Sequence, residues 1–206
     1  MRRFIVIGFI LFVLAAPAAA ALDETLAKQV LAEINLARSA PRTYGGFLRE
    51  FRGRFKGKVY SQPGSAVRVK TREGRAAVDE AIRYLSRQKP VPPLSWSAGL
   101  AAAAAELAEE QGRSGATGHV GEQSHGVQER IERHGTWDRQ IGENIGYGPT
   151  GARSMVMQLI IDDGVKGRGH RKNTFNKVFR TAGVACGPHP GFGSMCVIDF
   201  AGGFRE

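Results

Sequence analysis

A sheet laid against helices is the fold class this sequence predicts, on three observations. Apolar residues recur at helical spacing through most of the chain. Strand-like runs come late, at 181–186 and 195–200, on either side of the turn-forming Gly187-Pro188-His189-Pro190-Gly191. The length, 206 residues, suits one globular domain with an N-terminal extension and would crowd two. Helices outnumber strands, and neither an internal repeat nor a linker divides the chain.

The extension begins Met1-Arg2-Arg3, continues apolar from Phe4 to about Pro17 and closes on Ala18-Ala19-Ala20-Ala21. That order of charged, apolar and small residues predicts a secretory signal peptide over 1–21, cut after Ala20 or Ala21. The apolar run falls short of the roughly 20 residues a spanning helix needs, so no transmembrane anchor is expected. Residues 22–206 then form one exported domain, periplasmic or extracellular and monomeric. In an oxidising compartment Cys186 and Cys196, ten residues apart, favour a disulfide over free buried thiols.

Removing Arg2 and Arg3 from the 29 lysines and arginines leaves 27 against 19 acidic residues, a balance of +8. Such a field attracts acidic surfaces, anionic lipid and envelope polymer among them. Export makes nucleic acid the least favoured partner.

Taken in order, the first helix starts after Asp23, a competent N-cap, and carries Leu26, Val30, Ile34 and Ala37 on one face until Pro41 ends it. On spacing alone Asn35 and Arg38 are a capping or surface pair. A basic segment at 44–75 interleaves arginine and lysine with Phe47, Phe51, Phe55 and Tyr60; its apolar positions fit a short helix on the body better than a nucleic-acid face. Helices follow at 74–88, with Ala77, Ala81, Ile82 and Leu85 inward, and at 98–111, so rich in alanine that it must pack closely. Leu94-Ser95-Trp96-Ser97 leads into the latter. A loop holds His119, and 127–133 forms a short helix. The glycines around Glu143 suit a short bent strand or loop. The last helix runs from Pro149-Thr150 to Asp163, with Met155, Val156, Leu159 and Ile160 apolar.

The chemistry concentrates between His119 and Asn173. His119, Glu143, His170 and one of Asp162 and Asp163 could bind a zinc-type divalent ion, since imidazole nitrogen and carboxylate oxygen both reach it at about 2.0–2.2 Å. Spacing alone is a weak signal, as the chain has no His-Glu-x-x-His. His125, His134 and His189 lie in polar or turn sequence and are expected at the surface. No nucleophile elbow surrounds Ser124 or Ser154.

The following motifs together resemble the CAP superfamily of cysteine-rich secretory proteins, antigen 5 and pathogenesis-related 1, in its bacterial, SCP-like extracellular branch. They are Asn35 and Arg38, Pro93-Leu94-Ser95-Trp96, Gly118-His119, Gly142-Glu143-Asn144-Ile145, Gly169-His170-Arg171-Lys172-Asn173 and Ala182-Gly183-Val184-Ala185-Cys186, in family order across most of the chain. The resemblance implies a three-layer α-β-α sandwich with a central cleft of two histidines and two acids. His119 and His170 would be the histidines and Glu143 the first acid. Asp162 stands near the place of the family's second acid, with Asp163 as alternative, because successive helix residues point about 100° apart. The implied function is an envelope binding or signalling module whose cleft takes a divalent metal of the zinc type and a small-molecule, lipid or polymer ligand. One alternative is a metal-assisted hydrolase of peptide, ester or glycan with Glu143 as general base. Another is a basic envelope-surface or lipid-binding protein.

Overall fold

The computed structural model describes residues 21–61 and 68–206. The expected signal peptide lies outside the described residues except for Ala21. Among the described residues no helix is long and apolar enough to cross a membrane.

Helix α1 (Glu24–Ser39) opens where Leu26 N donates to Asp23 Oδ1 at 2.8 Å. It buries Val30, Ile34 and Ala37 as their spacing predicts. Pro41 does more than stop it: a proline at the first helical position has no amide to leave unpaired, and α2 (Pro41–Arg52) begins there. That helix ends one residue short of Gly53, so Phe55 belongs to no helix. It starts β1 (Phe55–Lys56), which with β2 (Val59–Ser61) and β3 (Arg68–Lys70) forms a small antiparallel sheet the sequence reading lacked. Helix α3 (Arg75–Arg87) follows, close to its predicted span.

Leu94-Ser95-Trp96 also departs from expectation. Rather than leading directly into a helix, Ser95–Trp96 is strand β4, pairing parallel with β6 (Thr181–His189). Helix α4 (Ala98–Ser114) runs on past Gln111 until Gly115 takes φ 74°, a left-handed cap that costs glycine little. Helix α5 (Val127–His134) precedes β5 (Thr136–Tyr147), which is one long strand despite its glycines. It is held in register by β7 (Gly193–Arg205), with an irregularity between Asp138 and Ile141. Helix α6 (Ala152–Ile161) stops before the aspartates, and a six-residue α7 (Gly169–Thr174) begins at Gly169-His170.

The main sheet has the order β4-β6-β7-β5 and is covered on both faces, giving the three-layer α-β-α sandwich. Alternation sorts its side chains. Ala182, Val184, Cys186, Cys196, Ile198 and Phe200 face a core shared with α1, α2, α3 and α6. Ala185, Met195, Val197 and Ala201 face α4 and α5. The alanines of α4 allow it to lie directly on β6, where a Cβ on Gly183 would come within 1.9 Å of Ala101 N. Cys186 and Cys196 are directly opposed in the β6–β7 ladder and form the expected disulfide, with the sulfurs 2.04 Å apart.

Candidate functional site

Strand β5 is an edge of the main sheet, and the cleft forms where the two helical layers meet over that edge. Along β5, Glu143 and Ile145 point to the α4–α5 side, whereas Asn144 points to the α6–α7 side. One histidine reaches this edge from each layer.

His119 hangs on the loop after α4. The loop is fixed by a closed set of hydrogen bonds: Gly118 N donates to Tyr147 Oη at 3.0 Å, Tyr147 Oη to Gln111 Oε1 at 2.7 Å, and Gln111 Nε2 to Gly118 O at 2.7 Å. His119 Nδ1 then meets Glu143 Oε1 at 2.7 Å, and the other Glu143 oxygen accepts from Arg130 Nη2. Arg130 is fully buried, and its Nη1 also donates to His125 O at 2.6 Å. Glu143 therefore has both oxygens engaged and faces inward, with its side chain 2 % exposed against 53 % for His119.

The second histidine is held in the same way from the other layer. Asp162 caps α6 in the left-handed conformation, φ 56°, a region aspartate tolerates better than most residues. This turn points its carboxylate at α7, where Oδ2 accepts from His170 N at 2.9 Å and Oδ1 meets His170 Nδ1 at 2.6 Å. Asp163 turns elsewhere, accepting from Arg72 N at 2.6 Å and Glu73 N at 2.8 Å. Helix termination, rather than rotation around a continuing helix, sets the two aspartates apart. Asp162 pairs with the histidine, and Asp163 ties down the segment after β3.

Asparagines join the halves. Asn144 Nδ2 donates to His170 O at 3.0 Å, and Asn173 Nδ2 to Glu143 O at 3.1 Å. The two imidazoles stand 6.4 Å apart, centre to centre, with planes 31° apart. Both line a cavity of about 710 Å³.

The geometry bears directly on metal binding. A carboxylate only accepts, so each Nδ1 carries the proton, and a neutral ring keeps its lone pair on Nε2. This is how a carboxylate orients a metal-binding histidine. Among the described residues no three His, Cys, Asp or Glu side chains are set to hold an ion together. Glu143 and Asp162 bind the histidines, and the donors left for an ion are two imidazole nitrogens.

Several motif residues do structural work. Asn35 and Arg38 are no surface pair. Asn35 Nδ2 donates to Leu94 O at 2.9 Å while its Oδ1 accepts from Leu94 N at 2.7 Å. Arg38 is wholly buried and donates to four main-chain carbonyls, those of Pro92, Thr174, Asn176 and Phe179. Arg171, also buried, forks onto Glu80 at 2.6 and 2.7 Å and holds the end of α6 through Ile160 O and Ile161 O. His189 is another correction: it is 2 % exposed, with Nε2 against Ala116 O at 2.9 Å and Nδ1 accepting from Gly191 N. It thereby supports the loop bearing His119. His134 is half-buried against Glu106, and His125 is exposed as expected.

Two residues of the site escaped the sequence reading. Arg130 sat unremarked in a short polar helix. Asp199 stands opposite Glu143 in the β5–β7 register and is fully buried. Burial first, and the Glu143 charge second, push its carboxyl well above the usual range, while Arg130 pulls the other way. As a carboxylate Asp199 would have no donor, but as a neutral acid it can give its own proton to Glu143. An acid inside the apolar run 195–200 was the available signal.

The loop from Asp162 to Arg168 yields a pH prediction. Glu73 accepts from Arg168 Nη1 and Nη2 at 2.6 and 2.7 Å and from Gly164 N at 2.6 Å, which holds it down to about 2 from 4.5. A depressed acid contributes stability that is complete above its unfolded pKa and lost as pH falls through the folded one. Protection of the Gly164 amide, relative to its intrinsic exchange rate, should therefore be complete above pH 4.5 and fall toward pH 2. In Glu73→Gln that acid-triggered step should disappear.

Layer order, disulfide and paired imidazole–carboxylate dyads define an α-β-α sandwich with a two-histidine cleft. The family model described as the cysteine-rich secretory protein family, CAP, matches residues 31–200, and the chain belongs to that family. Among solved structures it is similar to an extracellular protein containing an SCP domain from Bacillus anthracis str. Ames. That match has 18 % identity and a TM-score of 0.45, and covers 62 % of this chain and 38 % of that one. An outer surface protein from Borrelia burgdorferi matches at 15 % identity and a TM-score of 0.45, covering 54 % of this chain and 78 % of that one. This chain thus spans well under half the length of the Bacillus anthracis protein. No match is found among curated proteins.

Proposed function

We propose that this is an exported binding or signalling module of the cell envelope, whose cleft holds a divalent ion of the zinc type through Nε2 of His119 and His170. The observation that carries this reading is the pair of dyads, in which each cleft-lining imidazole is tied at Nδ1 to a buried carboxylate. With two protein donors, the remaining positions are open to water or to a ligand. A bound ion would supply Lewis-acid attraction for a ligand oxygen. The chain's own part is to orient both rings, keep the carboxylates from solvent and present the open positions to the cavity. The hydrolase reading has less support, because both oxygens of Glu143 are already engaged. The +8 balance adds attraction to acidic envelope polymer or lipid.

Calorimetric titration with zinc should show binding that disappears in His119→Ala and in His170→Ala. Asp162→Asn, which weakens the orienting partner, should lower affinity about 10–100-fold. Unchanged affinity in both histidine variants would end the metal reading.

A further inference from the structure

The β5–β7 ladder leaves one buried residue with an idle main chain. Gly148 N donates to Ser194 O at 2.8 Å, so Gly148 and, by alternation, Gly146, Asn144 and Gly142 direct their main chain at β7. Glu143, Ile145 and Tyr147 direct theirs off the open edge of the sheet. Two of these outward carbonyls are taken by side-chain amides: Asn173 Nδ2 donates to Glu143 O at 3.1 Å, and Gln158 Nε2 to Tyr147 O at 3.0 Å. Between them, Ile145 N and O have no partner among the described residues.

Ile145 is only 6 % exposed, and buried main-chain groups are nearly always paired. Its side chain packs in a cluster with Leu107 and Ala108 of α4, so what it shows to the cavity it lines is its N–H and C=O. The other end of the edge is blunted. Around Arg139, at φ 69°, the register slips, and Asp138 and Arg139 are exposed, a bulge with charges that discourages pairing. No such guard stands at Ile145. Asn173 and Gln158 instead place amide N–H groups where a neighbouring strand would place its own. The gap between them fits one residue of extended chain, which presents an N–H and a C=O on the same side.

We infer that the cleft takes a short peptide in extended conformation, added as a strand to the edge of β5. One of its residues donates its N–H to Ile145 O and accepts from Ile145 N, with the peptide about 4.7–4.9 Å from β5. Its flanks rise away from the edge, because Asn173 and Gln158 already hold the adjoining carbonyls. The cavity, about 710 Å³, lies within the roughly 300–1,000 Å³ of small-ligand sites, which suits a few residues and not a folded chain. The inference rests on the reading of the cleft as a ligand site and is independent of the ion. Register and unpaired main-chain groups carry it.

The test is nuclear magnetic resonance of the isotope-labelled protein with a pool of acetylated, amidated tetrapeptides randomised at every position. In the free protein the Asn144 and Gly146 amides should be protected from exchange and the Ile145 amide should not. The pool should move the Ile145 amide proton downfield in a saturable way. At a concentration about ten times Kd, the protection of that amide should rise about tenfold. The same pool N-methylated at every amide should do neither. Gln158→Ala, at an exposed position, frees Tyr147 O and should tighten binding roughly two- to tenfold, the worth of one added hydrogen bond. Ile145→Pro removes the outward N–H without breaking the ladder and should abolish binding. The N-methylated comparison decides even where that variant does not fold. An Ile145 amide protected in the free protein, no shift with the pool, an equal shift with its N-methylated form, or binding retained by a folded Ile145→Pro overturns the inference. His119→Ala/His170→Ala separates the two readings, since it should remove zinc binding and keep the Ile145 response. Zinc binding by the parent without any Ile145 response sinks this inference alone.

Discussion

Arg130→Met should destabilise the protein by about 3–5 kcal/mol at neutral pH, the cost of removing one partner from a buried ion pair. Arg130 is the buried cation that Glu143 binds, and Asp199 lies just behind Glu143 in the sheet. Without the guanidinium, two carboxyl groups face each other in an interior that can accommodate at most one charge. Asp199, whose carboxyl burial already raises, then loses the cation that opposed that shift. The stability it contributes is present when it is protonated and is lost as pH rises. Urea denaturation should therefore show Arg130→Met recovering part of its deficit between pH 7 and pH 5, against a parent changing less. Asp199→Asn is the informative partner. Because Asp199 is already held neutral, the amide should cost less than about 1 kcal/mol, near the net worth of one hydrogen bond. A large loss in Asp199→Asn would mean that the buried acid carries a charge after all.

Arg38→Met should have an effect of comparable size, at about 4 kcal/mol or more. Methionine fills much of the same volume, yet the carbonyls of Pro92, Thr174, Asn176 and Phe179 would lose the Arg38 donor together, and for the two buried bonds, to Thr174 and Phe179, that costs about 1–3 kcal/mol each before relaxation. Burial and, secondarily, Arg180 lower the Arg38 pKa to about 10, so the guanidinium is still charged at neutral pH. Arg38→Lys keeps a charge but not the planar fork, and should recover only part of the loss. Thermal melts of the three proteins should rank parent, lysine and methionine in that order. If lysine matched the parent, charge alone would be the requirement.

The helical core was legible because burial leaves a period. Val30, Ile34 and Ala37 in α1, and Met155, Val156, Leu159 and Ile160 in α6, point inward as their spacing predicts. The C-terminal hairpin was legible for the same reason. The small sheet was not, since two- and three-residue strands are too short to show alternation. Strand β4 was hidden too, because a two-residue parallel pairing depends wholly on Thr181 and Ala182, distant in sequence. In the cleft, motif resemblance pointed to His119, Glu143, Asp162 and His170, and the structure pairs each acid with one histidine. Linear spacing could not reveal that pairing, which depends on Asp162 leaving the helix in a left-handed turn and on Glu143 sharing its carboxylate with a buried arginine. The same blindness made Arg38 look superficial: its acceptors lie 54 to 141 residues further along the chain.

The placement of the two imidazoles in separate layers has a mechanical consequence. His119 is suspended from the α4 side and His170 from the α6–α7 side, and the sheet ends at β5 between them. An occupant gripping both rings would rivet the outer slabs together at a margin where no further strand joins them. Occupancy would then be felt as stiffness far from the cleft, through the helices that each ring is anchored to, and melting temperature would climb with ligand concentration as mass action requires.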